Sequence, residues 1–103
     1  MAKAGPPSLH PSQLEARSPA AIGERLCAVR KALGLTQEQL AASVGCPQGT
    51  FGQYEAGMRK PSIAVASRLY DRHGITLDYL YLGNVGTLPF ELGKAVTRFA
   101  VKL

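Results

Sequence analysis

The chain has 103 residues, 46% of them hydrophobic and 18% charged, which suffices for one small core and excludes wholesale disorder. Twelve basic against seven acidic side chains give a net charge of +5, spread along the whole length, which permits a nucleic-acid partner without demonstrating one. No run of about 18 apolar residues exists and the N-terminus has no apolar stretch, so neither a membrane span nor a secretory signal is expected and the cytoplasm is the default compartment.

Residues 1–17 carry Gly5, Pro6, Pro7 and Pro11 with no sustained period, which predicts a flexible N-terminal arm. Ser18 suits an N-cap and Pro19 a first helical turn. Ile22, Leu26, Val29 and Leu33 then share one face, with Glu24, Arg25, Arg30 and Lys31 opposite, and Gly34 stops a helix predicted over about 19–33. Thr36 and Gln39 stand at capping-box spacing ahead of Leu40, Ala41 and Val44, and Gly45 ends that helix. It is short and must be held by packing.

Pro47 opens a third helix with Phe51 and Tyr54 inward and Gln48, Gly49, Gly52 and Gln53 outward. Gly57 turns the chain into the basic loop Met58-Arg59-Lys60-Pro61. Ser62 caps a fourth helix whose core stripe reads Ile63, Ala66, Leu69 and Tyr70, ended by Gly74; Arg68, Asp71 and Arg72 fall to a solvated face. Thr76 caps a fifth, with Leu77, Leu80 and Tyr81 as core or interface. The fold expected over residues 18–83 is an all-α bundle of five short helices, small for independent stability.

Residues 84–103 read as an amphipathic C-terminal extension. Leu88, Leu92, Ala95, Val96, Phe99 and Leu103 form a stripe opposite Glu91, Lys94, Arg98 and Lys102. The final RFAVKL also alternates, so a strand stays open, but the length of the periodic run favours a helix. Such a stripe must bury itself on its own domain or on the same segment of a second chain. Tyr79, Leu82, Leu92, Val96 and Phe99 are the candidate dimerisation residues, and deleting 86–103 is expected to weaken binding to a nucleic-acid partner without unfolding the bundle.

Cys27, Cys46, His10 and His73 show no metal-ligand spacing, so no metal and no cofactor is expected. Both thiols read as small buried hydrophobes, and His73 as a helix-end residue. No Ser/His/Asp set, glycine-rich phosphate loop or paired carboxylates support an enzyme. No aromatic platform supports single-stranded nucleic-acid binding.

Residues 36–61 carry the functional signal: a capped two-turn helix, a glycine turn, and a second helix with amide and small residues outward. LTQEQLAASVG over residues 35–45, the step Tyr54-Glu55-Ala56-Gly57 and the basic loop ending at Pro61-Ser62 resemble the lambda-repressor-like helix-turn-helix family of Cro/CI or xenobiotic-response-element type. The resemblance covers about residues 20–83. It implies a sequence-specific double-stranded DNA-binding transcriptional regulator, a repressor, acting as a homodimer on a palindromic operator.

On that resemblance Gln48 and Gln53 read bases, since an amide matches the N6/N7 edge of adenine, and Thr50 reaches a phosphate or a thymine methyl. Gln37 contacts a phosphate and braces Gln48. Thr36, Arg59 and Lys60 hold the phosphate backbone, Thr36 through its N–H at the helix start. Arg30 pairs with Glu55 and ties the first helix to the reading helix. Gly49 and Gly52 depart from the family pattern: either they let the backbone approach DNA closely, or this chain makes fewer base contacts. Pro47 stands where a Ser or Thr cap is common. The alternative from another class is an antitoxin-like interaction module that neutralises a protein partner and regulates itself through DNA; an enzyme-associated adaptor with a degenerate DNA face is a third.

Overall fold

The computed structural model describes residues 15–100, with side chains as far as Arg98. The arm predicted for 1–17 therefore lies outside the described residues except for its last three positions, as do the Phe99 side chain and Leu103. Six α-helices and no strand occur among the described residues.

Local bonds set the helix starts. Ser18 Oγ accepts from the Ala21 N–H at 3.1 Å and opens α1, Pro19–Ala32. The capping box of Thr36 and Gln39 opens α2, Gln37–Ser43, with bonds of 3.1 and 2.9 Å. α3, Gln48–Glu55, begins after Pro47 with no side-chain cap. Ser62 caps α4, Ile63–His73, and Thr76 caps α5, Leu77–Leu82; Gly74 and Gly83 close them. A 3₁₀ turn, Val85–Thr87, leads into α6, Phe90–Ala100.

One core joins all six helices. Ile22, Leu26 and Val29 of α1 meet Leu40 and Ala41 of α2, Phe51 and Tyr54 of α3, Ala66 and Leu69 of α4, Leu80 of α5 and Val96 of α6. Phe51 and Tyr54 meet edge to face, with ring centroids 6.3 Å apart. No helix among the described residues is long and apolar enough to cross a membrane.

The α4 stripe is corrected. Val65, Ala66 and Leu69 are buried, whereas Ile63 is 65% and Tyr70 55% exposed. At about 100° per residue, Ile63 and Tyr70 lie together on the flank next to the buried face. Arg68 is not simply solvated: its Nη1 donates to Val44 O at 3.1 Å and caps the end of α2. Cys46 is buried, but Cys27 is half-buried, with its Sγ 3.7 Å from Arg30 Nη2.

Two expected dimer residues are spent within the chain. Tyr79 is 3% and Val96 2% exposed, so neither offers surface to a second copy. Leu92 is half-buried against the same core, and among the described members of the set only Leu82 is well exposed. The C-terminal segment is helical over Phe90–Ala100, and the last three residues of the alternating RFAVKL run lie outside the described residues. The helix packs along α1 and carries Val96 into the core, with Leu88 just before it, so it belongs to the bundle.

Tyr79 belongs to a seam between α1 and α5. Its hydroxyl donates to Arg25 O at 3.0 Å, and the Arg25 Nε donates to Leu80 O at 3.0 Å. Arg25 Nη2 also reaches the carbonyls of Tyr81 and Ala16. Burial pushes the Tyr79 phenol up to about 12, with nearby Arg25 pulling the other way. The folded chain thus keeps the proton after the unfolded chain has lost it. The resulting stability is complete below about pH 10 and disappears as pH rises through about 12, a loss of about 2–3 kcal/mol. Denaturant titrations at pH 9 and 11.5 measure this drop, and Tyr79→Phe removes most of it; an equal drop in both proteins counts against the assignment.

Candidate nucleic-acid interface

The turn between α2 and α3 is built from short-range bonds. Val44 ends α2, Gly45 takes φ 65°, and the Cys46 N–H returns to Ala41 O at 2.9 Å. Only glycine enters this left-handed region freely, and the reversal points α3 across α2. Ser43 Oγ donates to Leu40 O at 2.7 Å and lies 2.8 Å from His73 Nε2, so the imidazole serves as donor there. His73 thus braces α2 rather than only closing α4. Burial lowers its pKa, and Arg72 adds to the effect.

α3 buries Phe51 and Tyr54 and turns its other side outward. Gln48, Gly49 and Ala56 are exposed, and Thr50, Gly52 and Gln53 are half-buried beside them. Gln48 and Gln53, about 140° apart around the helix, border this face on either side. Its centre carries no side chain of its own: nothing lies within 4 Å of a methyl built on Gly49, and one built on Gly52 meets the Gln37 amide at 3.3 Å.

Behind the face sits a charged lock. Arg30 Nε donates to Glu55 Oε2 at 2.7 Å, and Nη2 donates to Oε1 at 3.2 Å. Arg30 Nη1 also holds Leu35 O at 3.0 Å. The Glu55 side chain is only 7% exposed, and its bond raises the Arg30 pKa against the opposing effect of burial. The fork geometry fixes orientation more than it adds net stability.

Gln37 joins this lock. Its Nε2 donates to Glu55 Oε1 at 3.1 Å, so the brace toward Gln48 implied by the family resemblance is replaced by a bond to Glu55. The Thr36 N–H, expected to face a phosphate, is committed to Gln39 Oε1 in the capping box. Arg59 and Lys60 are exposed at the rim. Arg59 sits 5.8 Å from the Tyr54 ring centroid, and its Nη1 donates to Gln53 Oε1 at 3.4 Å, linking a cation to an expected base reader.

Sequence reasoning missed the seat of α3. A methyl on Gly23 would lie 2.5 Å from Tyr54 O and 2.7 Å from Glu55 O, so α1 admits the end of α3 only where it has no side chain. Gly57, at φ 78°, closes against Ala20 in the same way. A glycine inside an apolar helical stripe was the available signal, because it weakens a helix by about 0.5–1 kcal/mol unless something needs the space.

A helix-turn-helix family model matches residues 28–80. Two relatives from Bacillus subtilis (strain 168) resemble the chain. The uncharacterized HTH-type transcriptional regulator YobD is 40% identical over 60 residues, which cover 55% of this chain and 51% of that protein. The SPbeta prophage-derived uncharacterized HTH-type transcriptional regulator YonR is 31% identical over 62 residues, covering 60% of this chain and 57% of that one. The match thus spans little more than half the length of either relative. No solved structure matches. The family match takes in α2, the Gly45 turn and all of α3, and the chain belongs to the lambda-repressor-like, Cro/CI helix-turn-helix family.

Proposed function

We propose that the chain is a sequence-specific double-stranded DNA-binding regulator of transcription that represses by occupying its operator in the cytoplasm. The observation that carries this reading is an α3 fixed on its inner side by Phe51 and Tyr54 while Gln48 and Gly49 stand open to solvent. α3 enters the major groove, where the Gln48 amide offers a donor and an acceptor to adenine. Gln53 reads beside it, and Thr50 meets a phosphate or a methyl. Arg59 and Lys60 supply salt-dependent phosphate contacts that set register. The regulators named among the relatives support the same reading.

One such helix reads a short half-site, so the operator is palindromic and the chain acts as a dimer. The surface best suited to pairing is the exposed strip of Leu82, Val85 and Phe90, beside an open groove of about 480 Å³ that Leu88, Gly93 and Lys94 also line. Selection from random duplexes gives symmetric half-sites. Gln48→Ala loses about 1–3 kcal/mol of discrimination at one base pair per half-site and leaves the thermal midpoint unchanged. A wild-type chain that enriches no duplex rejects the proposal. Unchanged binding by Gln48→Ala together with a co-purifying small protein favours the interaction-module alternative instead.

A further inference from the structure

Gln37 starts on α2 and ends on α3. Its Nε2 donates to the carboxylate that Arg30 already grips, 3.1 Å from Glu55 Oε1. The side chain takes this route across Gly52: a methyl built there would lie 3.3 Å from Gln37 Oε1 and 3.8 Å from Gln37 Cδ. Both atoms are at the far end of a flexible side chain, so alanine at Gly52 displaces the Gln37 amide rather than the helix backbone.

Phe51 and Tyr54 hold α3 along its buried side and Arg30 ties its Glu55 to α1; apolar packing resists a roll about the helix axis less than a directional bond does, and the side-chain bond to α2 is the one Gln37 supplies. A roll of about 20° carries a side-chain tip about 5–6 Å from the axis through about 2 Å, enough to break an amide–adenine pair. The Gln37–Glu55 bond opposes such a roll because it adds a tie to α2 beside the Arg30 tie to α1.

Resting on the DNA-reading proposal above, we infer that Gln37 is a positioning residue for groove reading and that Gly52 is its seat. Base discrimination by Gln48 and Gln53 depends on Gly52 although it has no side chain to offer a base. The glycine is neither a gap in the reading surface nor only a point of close backbone approach; it is the space in which the amide lies.

A double-mutant cycle tests this. Gly52→Ala, Gln37→Ala and the double variant are titrated against the duplex that the wild type selects and against versions altered at one base pair, over a range of salt. Each single variant lowers the preference for the selected duplex about tenfold, and the double variant lowers it no further than either single one. The slope of affinity against salt is unchanged, because the cationic phosphate contacts remain. Gly52→Ala keeps or raises the thermal midpoint, since alanine is the better helix former.

Equal weakening on every duplex by Gln37→Ala identifies a plain phosphate ligand and overturns the inference. Additive losses in the double variant overturn it as well, because they place the Gly52 methyl against DNA directly. A wild type that selects no duplex removes the DNA-reading proposal and this inference together, whereas a selective wild type with an additive cycle removes this inference alone.

Discussion

Gly23→Ala lowers the thermal midpoint by about 10–20 °C, whereas the same exchange at Gly49 raises it. Both glycines are helical with φ outside the left-handed region, so alanine gains helix propensity at each, about 0.5–1 kcal/mol. Their surroundings differ. The Gly49 methyl meets nothing, while the Gly23 methyl falls 2.5–2.7 Å from the backbone oxygens of Tyr54 and Glu55. Backbone cannot swing aside like a side-chain end, so α1 and α3 must separate and the core must open. Overpacking of this kind costs about 1–3 kcal/mol or more, and each kcal/mol moves the midpoint of so small a domain by about 4–8 °C. Calorimetry on the two variants decides the matter. A Gly23→Ala chain as stable as the wild type would show that the α1–α3 seam is soft.

Deleting residues 86–103 destabilises the bundle by about 5 kcal/mol, against the expectation that this deletion leaves it folded. Leu88 and Val96 are core residues and Leu92 packs against them. Burying a Val or Leu side chain fully contributes about 1.5–3 kcal/mol, and two such losses with the partial one at Leu92 approach the lower end of the stability of a small domain, about 5–15 kcal/mol. Urea unfolding of the truncated chain gives a midpoint far below that of the full chain, or no cooperative transition. An unchanged midpoint would mean that α6 contributes nothing to the core. Weakened DNA binding after truncation is therefore not by itself a measure of dimerisation.

The helix starts were legible because their determinants lie within three or four residues. The Thr36–Gln39 box, the Ser18, Ser62 and Thr76 caps and the stopping glycines are local chemistry, and the α1 stripe of Ile22, Leu26 and Val29 is plain periodicity. The Arg30–Glu55 pair came from family resemblance; no spacing rule connects residues 25 apart. On α4, apolar residues occupy two adjoining flanks, so period alone could not choose Val65 over Ile63. For Val96 the stripe indicated burial but not what would cover it, and its own chain does; Tyr79 stood outside the set of Leu77, Leu80 and Tyr81, and its burial goes with its bond to the distant Arg25 carbonyl. Arg25 and Arg68 escaped notice because each caps a helix end that is distant in sequence. Gln37 was expected to brace Gln48; Gly52 opens another path for its amide, toward Glu55.

α1 touches both α3 and α6. It has 14 residues and so is about 21 Å long, a single stiff beam between them. A partner that settled on α6 and tilted this beam would tilt α3 with it. Reciprocity then requires that a bound duplex change the grip on that newcomer by the same factor.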